Sequence, residues 1–159
     1  MFHVIKSSAP TRIDLAGGTL DIWPLHLFFD SPPTLNAAID LYATVEILPR
    51  KDKRIFLTSG DLGLSDNFPS LSAVPDNHPL ELIVRTLKFY RPKSGLEIFT
   101  DCRAPQGSGI GGSSALSIAL HGALDRLTGR GYRRAEMLEI AKNTEPQVIK
   151  VPAGCQDYY

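Results

Sequence analysis

The stretch Pro105-Gln106-Gly107-Ser108-Gly109-Ile110-Gly111-Gly112-Ser113-Ser114-Ala115 constrains this chain more than any other, because it sets four glycines and three serines directly before an apolar-periodic segment. Glycine lets a backbone approach a ligand closely and adopt positive φ. The first turn of a following helix offers unpaired N–H groups and the positive end of its dipole. Together these features describe a loop suited to holding phosphate. The plainer alternative is a Gly-rich turn that caps a helix through Ser113.

Two familiar nucleotide motifs fit poorly. Gly107, Gly109 and Gly112 satisfy the letters of a dinucleotide fingerprint, and Leu96 to Thr100 could be the strand before it. That pattern also needs a second strand ending in an acid about 20 residues on. Residues 113–144 instead read as helical, with Asp125 inside the first helix. A P-loop is excluded because no Lys precedes the serine pair.

At 159 residues and 43% hydrophobic content, the chain can bury a core as one domain. Seventeen basic and seventeen acidic side chains cancel, so charge recommends neither a nucleic-acid nor a membrane partner. Cys102 and Cys155 stand alone, outside any metal or redox spacing, which points to a reduced, cytoplasmic protein. The N-terminus Met1 to Lys6 is too short and mixed for a signal peptide, and no apolar run has transmembrane length.

Strands are predicted over Phe2 to Ser8, Thr11 to Leu15 and Leu35 to Leu48. In the last, Leu41, Ala43, Val45 and Ile47 alternate with polar neighbours as a half-buried strand does. Another strand is expected over Arg54 to Ser59 after a charged turn, and residues 60–78 read as loop. Pro79 opens a helix to about Tyr90, with Leu80, Ile83, Val84 and Leu87 on one stripe. A strand over 95–101, the Gly-rich loop and a helix over 113–128 follow, the helix burying Leu116, Ala119, Leu120, Ala123 and Leu127. Gly129 and Gly131 end it. A third helix over about 133–144 buries Met137, Ile140 and Ala141. The fold class is α+β, without repeats or linkers.

Asp14, Asp21, Glu145 and Asp157 lie beside glycines or helix ends, and Arg12 adjoins Asp14. Phosphoryl transfer needs such parts: a metal ligand, a base for the attacking hydroxyl and cations against developing charge. Each residue alone has an ordinary explanation. Asp21 could cap a helix starting near Pro24, Glu145 could decorate a helix end, and Arg12 could pair with Asp14.

Three segments, in order, resemble the GHMP kinases. They are Ala9-Pro10-Thr11-Arg12-Ile13-Asp14-Leu15-Ala16-Gly17-Gly18-Thr19-Leu20-Asp21, the Gly-rich loop, and Glu145 to Asp157 with Pro152-Ala153-Gly154-Cys155-Gln156-Asp157. The resemblance implies a first domain folded like ribosomal protein S5 domain 2, a mixed sheet backed by helices, and an enzyme that uses ATP and Mg²⁺ to phosphorylate a small molecule. It implies that Pro105, Gly107, Ser108, Gly109, Gly111, Gly112, Ser113 and Ser114 cradle the ATP phosphates. Ser113 and Glu145 would ligate magnesium. Asp157 would be the catalytic base, with Arg12 between base and phosphate, and Gly18, Asp21 and Asp157 would face the acceptor.

Galactokinases carry Glu-His-Thr where this chain has Gly18-Thr19-Leu20. The Gly-Gly pair and Leu35-Asn36-Ala37-Ala38-Ile39-Asp40 look more like the fucokinase and heptose 7-phosphate kinase branch. Mevalonate kinases carry Lys where this chain has Arg12, and Gly112 stands where many relatives have Ser. The expectation is therefore a sugar or sugar-phosphate kinase. The alternatives are a mevalonate-type kinase and a non-catalytic nucleotide- or sugar-binding module. Family members continue into a ferredoxin-like second domain, so residues 1–159 read as the N-terminal, ATP-binding domain, with the C-terminal domain absent from this chain. The oligomeric state is left open.

Overall fold

The structure is a computed structural model that describes residues 3–30 and 32–159. Five strands, β1 (Ile5–Ala16), β2 (Leu35–Pro49), β3 (Ile55–Ser59), β4 (Leu64–Phe68) and β5 (Leu96–Cys102), form one sheet in the order β1-β2-β5-β3-β4. Only β3 and β5 run parallel, and the other neighbours are antiparallel. The helices are α1 (Leu25–Phe28), α2 (Glu81–Tyr90), α3 (Gly112–Thr128) and α4 (Arg134–Ile149). Among the described residues no helix is long and apolar enough to cross a membrane.

Ala43, Val45 and Ile47 on β2 are fully buried, as their alternation predicts. They meet Leu57 of β3, Ile98 of β5, and Leu120 and Leu124 of α3 in one apolar core. α3 lies across β1 and β2, with α2 and α4 packed against it. This architecture leaves the N-terminus of α3 beside the open edge of β1, where most of the candidate site residues collect.

Several sequence expectations change. The two short strands before Ala16 are one strand with an irregular register: Pro10 pairs with Tyr42 but Thr11 with Ile39, leaving Asp40 and Leu41 extra on β2. Pro10 has no N–H for the ladder, and proline is tolerated on an edge strand next to such a bulge. Phe2, the expected start of the first strand, lies outside the described residues. The predicted loop 60–78 contains β4 and a 3₁₀ turn, Leu71–Ala73. The polar sequence LSDNF gives no apolar alternation, because β4 is exposed along nearly its whole length.

α4 continues past 144 to Ile149, through Pro146. The residue before a proline is usually pushed out of helix, and a proline removes one helical N–H. Here the helix runs on, closed by Lys150 in a left-handed conformation with its N–H on Pro146 O. Its inner face is Leu138, Ala141, Thr144 and Glu145, while Met137 and Ile140 are half-buried. On α3, Leu116 and Leu127 are likewise half-buried, and His121 and Leu124 take the interior.

His121 is fully buried, with Nδ1 3.2 Å from Tyr90 Oη and Nε2 without a hydrogen-bond partner. The rings of Phe89 and Tyr90 pack around it. Burial disfavours the imidazolium and pushes its pKa down to about 4. Above about pH 6.5 His121 is neutral both folded and unfolded. Between there and pH 4 the unfolded chain binds a proton that the native state refuses, so stability falls as pH falls. Chemical denaturation across that range should show a loss on the order of 3 kcal/mol from this residue. His121→Leu should flatten that part of the profile, and an unchanged acid slope in the variant would exclude the assignment.

Candidate active site

The Gly-rich loop leaves β5 and turns into α3 through three glycines in left-handed backbone: Gly107, Gly109 and Gly111, at φ +73°, +71° and +74°. Other residues adopt this conformation at a cost of about 1–2 kcal/mol each. Gly111 is the N-cap of α3, and no side chain caps that end. Ala115 N–H donates to Gly111 O at 2.9 Å. The preceding amides of the first turn therefore have no helical acceptor. Ser113 is exposed inside that first turn and is not a cap, which removes the plain capping-turn reading of the motif. Gly112 has its own reason: a Cβ there would stand 3.0 Å from Ala104 Cβ and 3.3 Å from Cys102 Sγ. Its absence lets the helix start against the end of β5.

Arg12 ties this loop to two other parts of the chain. Its main-chain N–H donates to Ile110 O across the open edge of β1 at 3.1 Å. Nη1 donates to Gly109 O at 2.9 Å, and Nε donates to Asp157 Oδ1 at 2.8 Å, with Nη2 on the same oxygen. The pairing with Asp14 suggested by sequence adjacency is not made. Asp157 sits in a closing 3₁₀ turn, Gln156–Tyr158. Asp21 positions that turn, since its Oδ2 accepts the Gln156 N–H at 2.8 Å. A bridge between Ile22 and Gly154 runs alongside, and a Cβ on Gly154 would lie 2.7 Å from Asp21 Oδ2. Asp21 does not cap α1, whose N-cap is Pro24. Gly18 packs against the Asp14 carboxylate.

Glu145, on α4, is 3% exposed, and its Oε2 is buried without a hydrogen-bond partner. Burial raises its pKa, opposed by the hydroxyls of Ser113, Ser114 and Tyr158, while the charge of Asp157 raises it further. A buried carboxylate oxygen without a partner, beside an exposed serine hydroxyl at a helix N-terminus, is a hard-oxygen pair suited to a small divalent cation. Among the described residues no group of three or more His, Cys, Asp and Glu could hold a metal, so a cation here would draw its remaining ligands from phosphate or water.

These residues share one cleft of about 500 Å³. Arg12, Asp157, Glu145 and Gly107 to Ser114, except Ile110, line it together with Leu62, Pro79, Leu80, Leu82, Ile83, Val148 and Ile149, and Ser59, Asp61 and Glu81 add polar groups to that lining. Of the sequence-predicted site residues, only Gly18 and Asp21 lie outside its lining. Sequence reasoning missed the apolar side chains of this lining. Leu62 falls in the stretch read as loop, and Val148 and Ile149 lie beyond the expected end of the helix. Their spacing of three and four from Glu145 places them on its helix face, a signal present in the sequence.

The sequence family described as GHMP kinases N terminal domain matches residues 81–159. The chain is 34% identical over 143 residues to a mevalonate kinase of Methanothermobacter thermautotrophicus, covering 90% of this chain and 43% of that protein. It is 28% identical over 162 residues to a D-glycero-alpha-D-manno-heptose 7-phosphate kinase of Campylobacter jejuni, covering 98% and 47%. The crystal structure of a D-glycero-D-manno-heptose 1-phosphate kinase from Bacteriodes thetaiotaomicron superposes with a TM-score of 0.86 at 29% identity, over 99% of this chain and 52% of that one. The α+β fold resembling ribosomal protein S5 domain 2 is thereby borne out. The chain spans about half the length of the curated relatives it matches.

A buried carboxylate is costly to the fold unless it is paired. Glu145→Gln should therefore leave the melting temperature unchanged or higher when no divalent cation or nucleotide is present. A fall of more than a few degrees would mean that the carboxylate serves the fold.

Proposed function

The chain belongs to the GHMP kinases through their N-terminal domain, and on that premise we propose that it forms the nucleotide-binding half of a cytoplasmic kinase. The reaction would move the terminal phosphoryl group of ATP to a hydroxyl of a monosaccharide or sugar phosphate. The observation that carries this reading is the Arg12–Asp157 pair in one cleft with the Gly-rich loop and the N-terminus of α3.

The chemistry follows from the donors and acceptors present. Both Arg12 contacts fall on Asp157 Oδ1, leaving Oδ2 without a protein partner among the described residues. That oxygen can accept the proton of an acceptor hydroxyl as the hydroxyl attacks phosphorus. Arg12 stands between base and loop, where its charge opposes the negative charge of the transition state. The N–H groups of the first turn of α3 would take phosphate oxygens, and the apolar side chains in the lining suit a nucleobase. Ser113 and Glu145 would hold Mg²⁺, which would supply positive charge against that of the phosphates.

Arg12 in place of lysine, and the structural likeness to a heptose 1-phosphate kinase, favour a sugar acceptor. The mevalonate kinase at 34% identity supports a second reading, mevalonate as acceptor. Assay of the polypeptide carrying this domain against heptose 7-phosphate, fucose, galactose and mevalonate decides between them. Turnover of mevalonate alone overturns the sugar reading.

Two substitutions test the roles. Gly109→Val forces a β-branched residue to φ +71° in open space, so it should cost only about 1–2 kcal/mol of stability while abolishing MgATP binding by calorimetry. Unaltered affinity would remove the loop from the nucleotide site. Asp157→Asn should lower kcat by about 10² or more with KM for both substrates nearly unchanged, as expected for an interaction realised in the transition state. Wild-type turnover in that variant would rule out Asp157 as the base.

A further inference from the structure

Tyr158 carries a large apolar ring into the interior and, with it, a hydroxyl that needs a partner once buried. The residue is 3% exposed and packs in a small cluster with Leu138 and Ala141 of α4, while its Oη is buried without a hydrogen-bond partner among the described residues. Leu138, Ala141 and Glu145 succeed one another at helical spacing, so they share one face of α4. The ring thus lies against the face that leads to Glu145, whose Oε2 is likewise buried and unpartnered. One group is a donor and the other an acceptor.

Each already acts on the other. Burial raises the pKa of Glu145, and the hydroxyl of Tyr158, with those of Ser113 and Ser114, opposes that rise by favouring the carboxylate. Burial and the charge of Glu145 in turn hold the Tyr158 hydroxyl above its ordinary range, so it keeps its proton and remains a donor. Their positions differ in a way that separates their roles. Glu145 lines the cleft of the Gly-rich loop, whereas Tyr158 lines a second cavity, of about 350 Å³, that shares Arg12 and Asp157 with the first. A cation in the cleft can therefore touch Glu145 but not Tyr158. Asp157 and Tyr158 are neighbours in one 3₁₀ turn, the first held by Arg12 and the second packed on α4.

We propose that Tyr158 is a positioning residue for the divalent cation, its hydroxyl donating to one oxygen of the Glu145 carboxylate and so fixing the other for the metal. The inference rests on the cation reading of Ser113 and Glu145 above. A carboxylate free to turn about its last bond offers a cation many orientations, and a hydrogen bond to one oxygen selects among them. A donor in this buried place acts on a charged acceptor without competition from water, which strengthens it. The turn that presents the proposed base then also steadies the cation ligand, and the two are set together.

The test reads Mn²⁺ binding by its electron paramagnetic resonance signal, on the polypeptide carrying this domain with a non-hydrolysable ATP analogue, so that no turnover is measured. Tyr158→Phe removes one oxygen and keeps the ring. It should weaken Mn²⁺ binding about tenfold or more and leave affinity for the analogue without metal little changed. In a Glu145→Gln background the same substitution should have no further effect, because the carboxylate it acts through is gone. Unchanged Mn²⁺ affinity in Tyr158→Phe, or an equal loss in both backgrounds, overturns the proposal while Glu145 stands as a ligand. Wild-type protein that binds no Mn²⁺ with the analogue, or Glu145→Gln that binds it as well as wild type, overturns the cation reading and the proposal with it.

Discussion

Three distant stretches of this chain meet on the side chain and main chain of Arg12. Its N–H closes the edge of β1 onto Ile110, its guanidinium holds Gly109 O, and the same guanidinium grips Asp157, 145 residues away. The side chains of Arg12 and Asp157 are only 15% and 20% exposed, so the pair is shielded from the screening that weakens surface ion pairs. Losing either partner would leave the other charge poorly solvated and uncompensated. Strand edge, Gly-rich loop and closing turn are therefore tied into one unit.

The acidic residues around this unit play different roles, set by their surroundings. Asp21 accepts a backbone amide with one oxygen, in a turn that glycine at 154 makes possible, while its other oxygen is buried without a partner. Glu145 is also buried with an oxygen left unmatched, although the hydroxyls of Ser113, Ser114 and Tyr158 favour its charged form. Such local conflicts between stability and chemistry are where function is expected to reside.

Much of this was legible in the residue order. Alternation gave β2 correctly because one face is buried, and the glycine pattern gave the loop because left-handed backbone leaves few other choices. β4 was illegible because an exposed strand has no apolar period to reveal it. The length of α4 was obscured by Pro146, whose local preference was outweighed by the inward packing of its neighbours. Arg12 and Asp157 could be singled out by resemblance, but their contact could not be read from adjacency, which favoured Asp14. The relation between Asp14 and Gly18 was invisible for a different reason: it is a matter of space over a missing side chain, which no spacing rule records.

The hydrogen bond from Arg12 N–H to Ile110 O also bears on how the molecule comes into being. Contacts between residues so far apart in sequence demand large loop closures before they return any free energy, and they form late in folding. The apolar core of β2, β5 and α3 contains none of the residues that meet on Arg12. A refolding chain can therefore acquire its compact sheet before Arg12 joins strand edge, Gly-rich loop and closing turn, and that junction is the last feature to form.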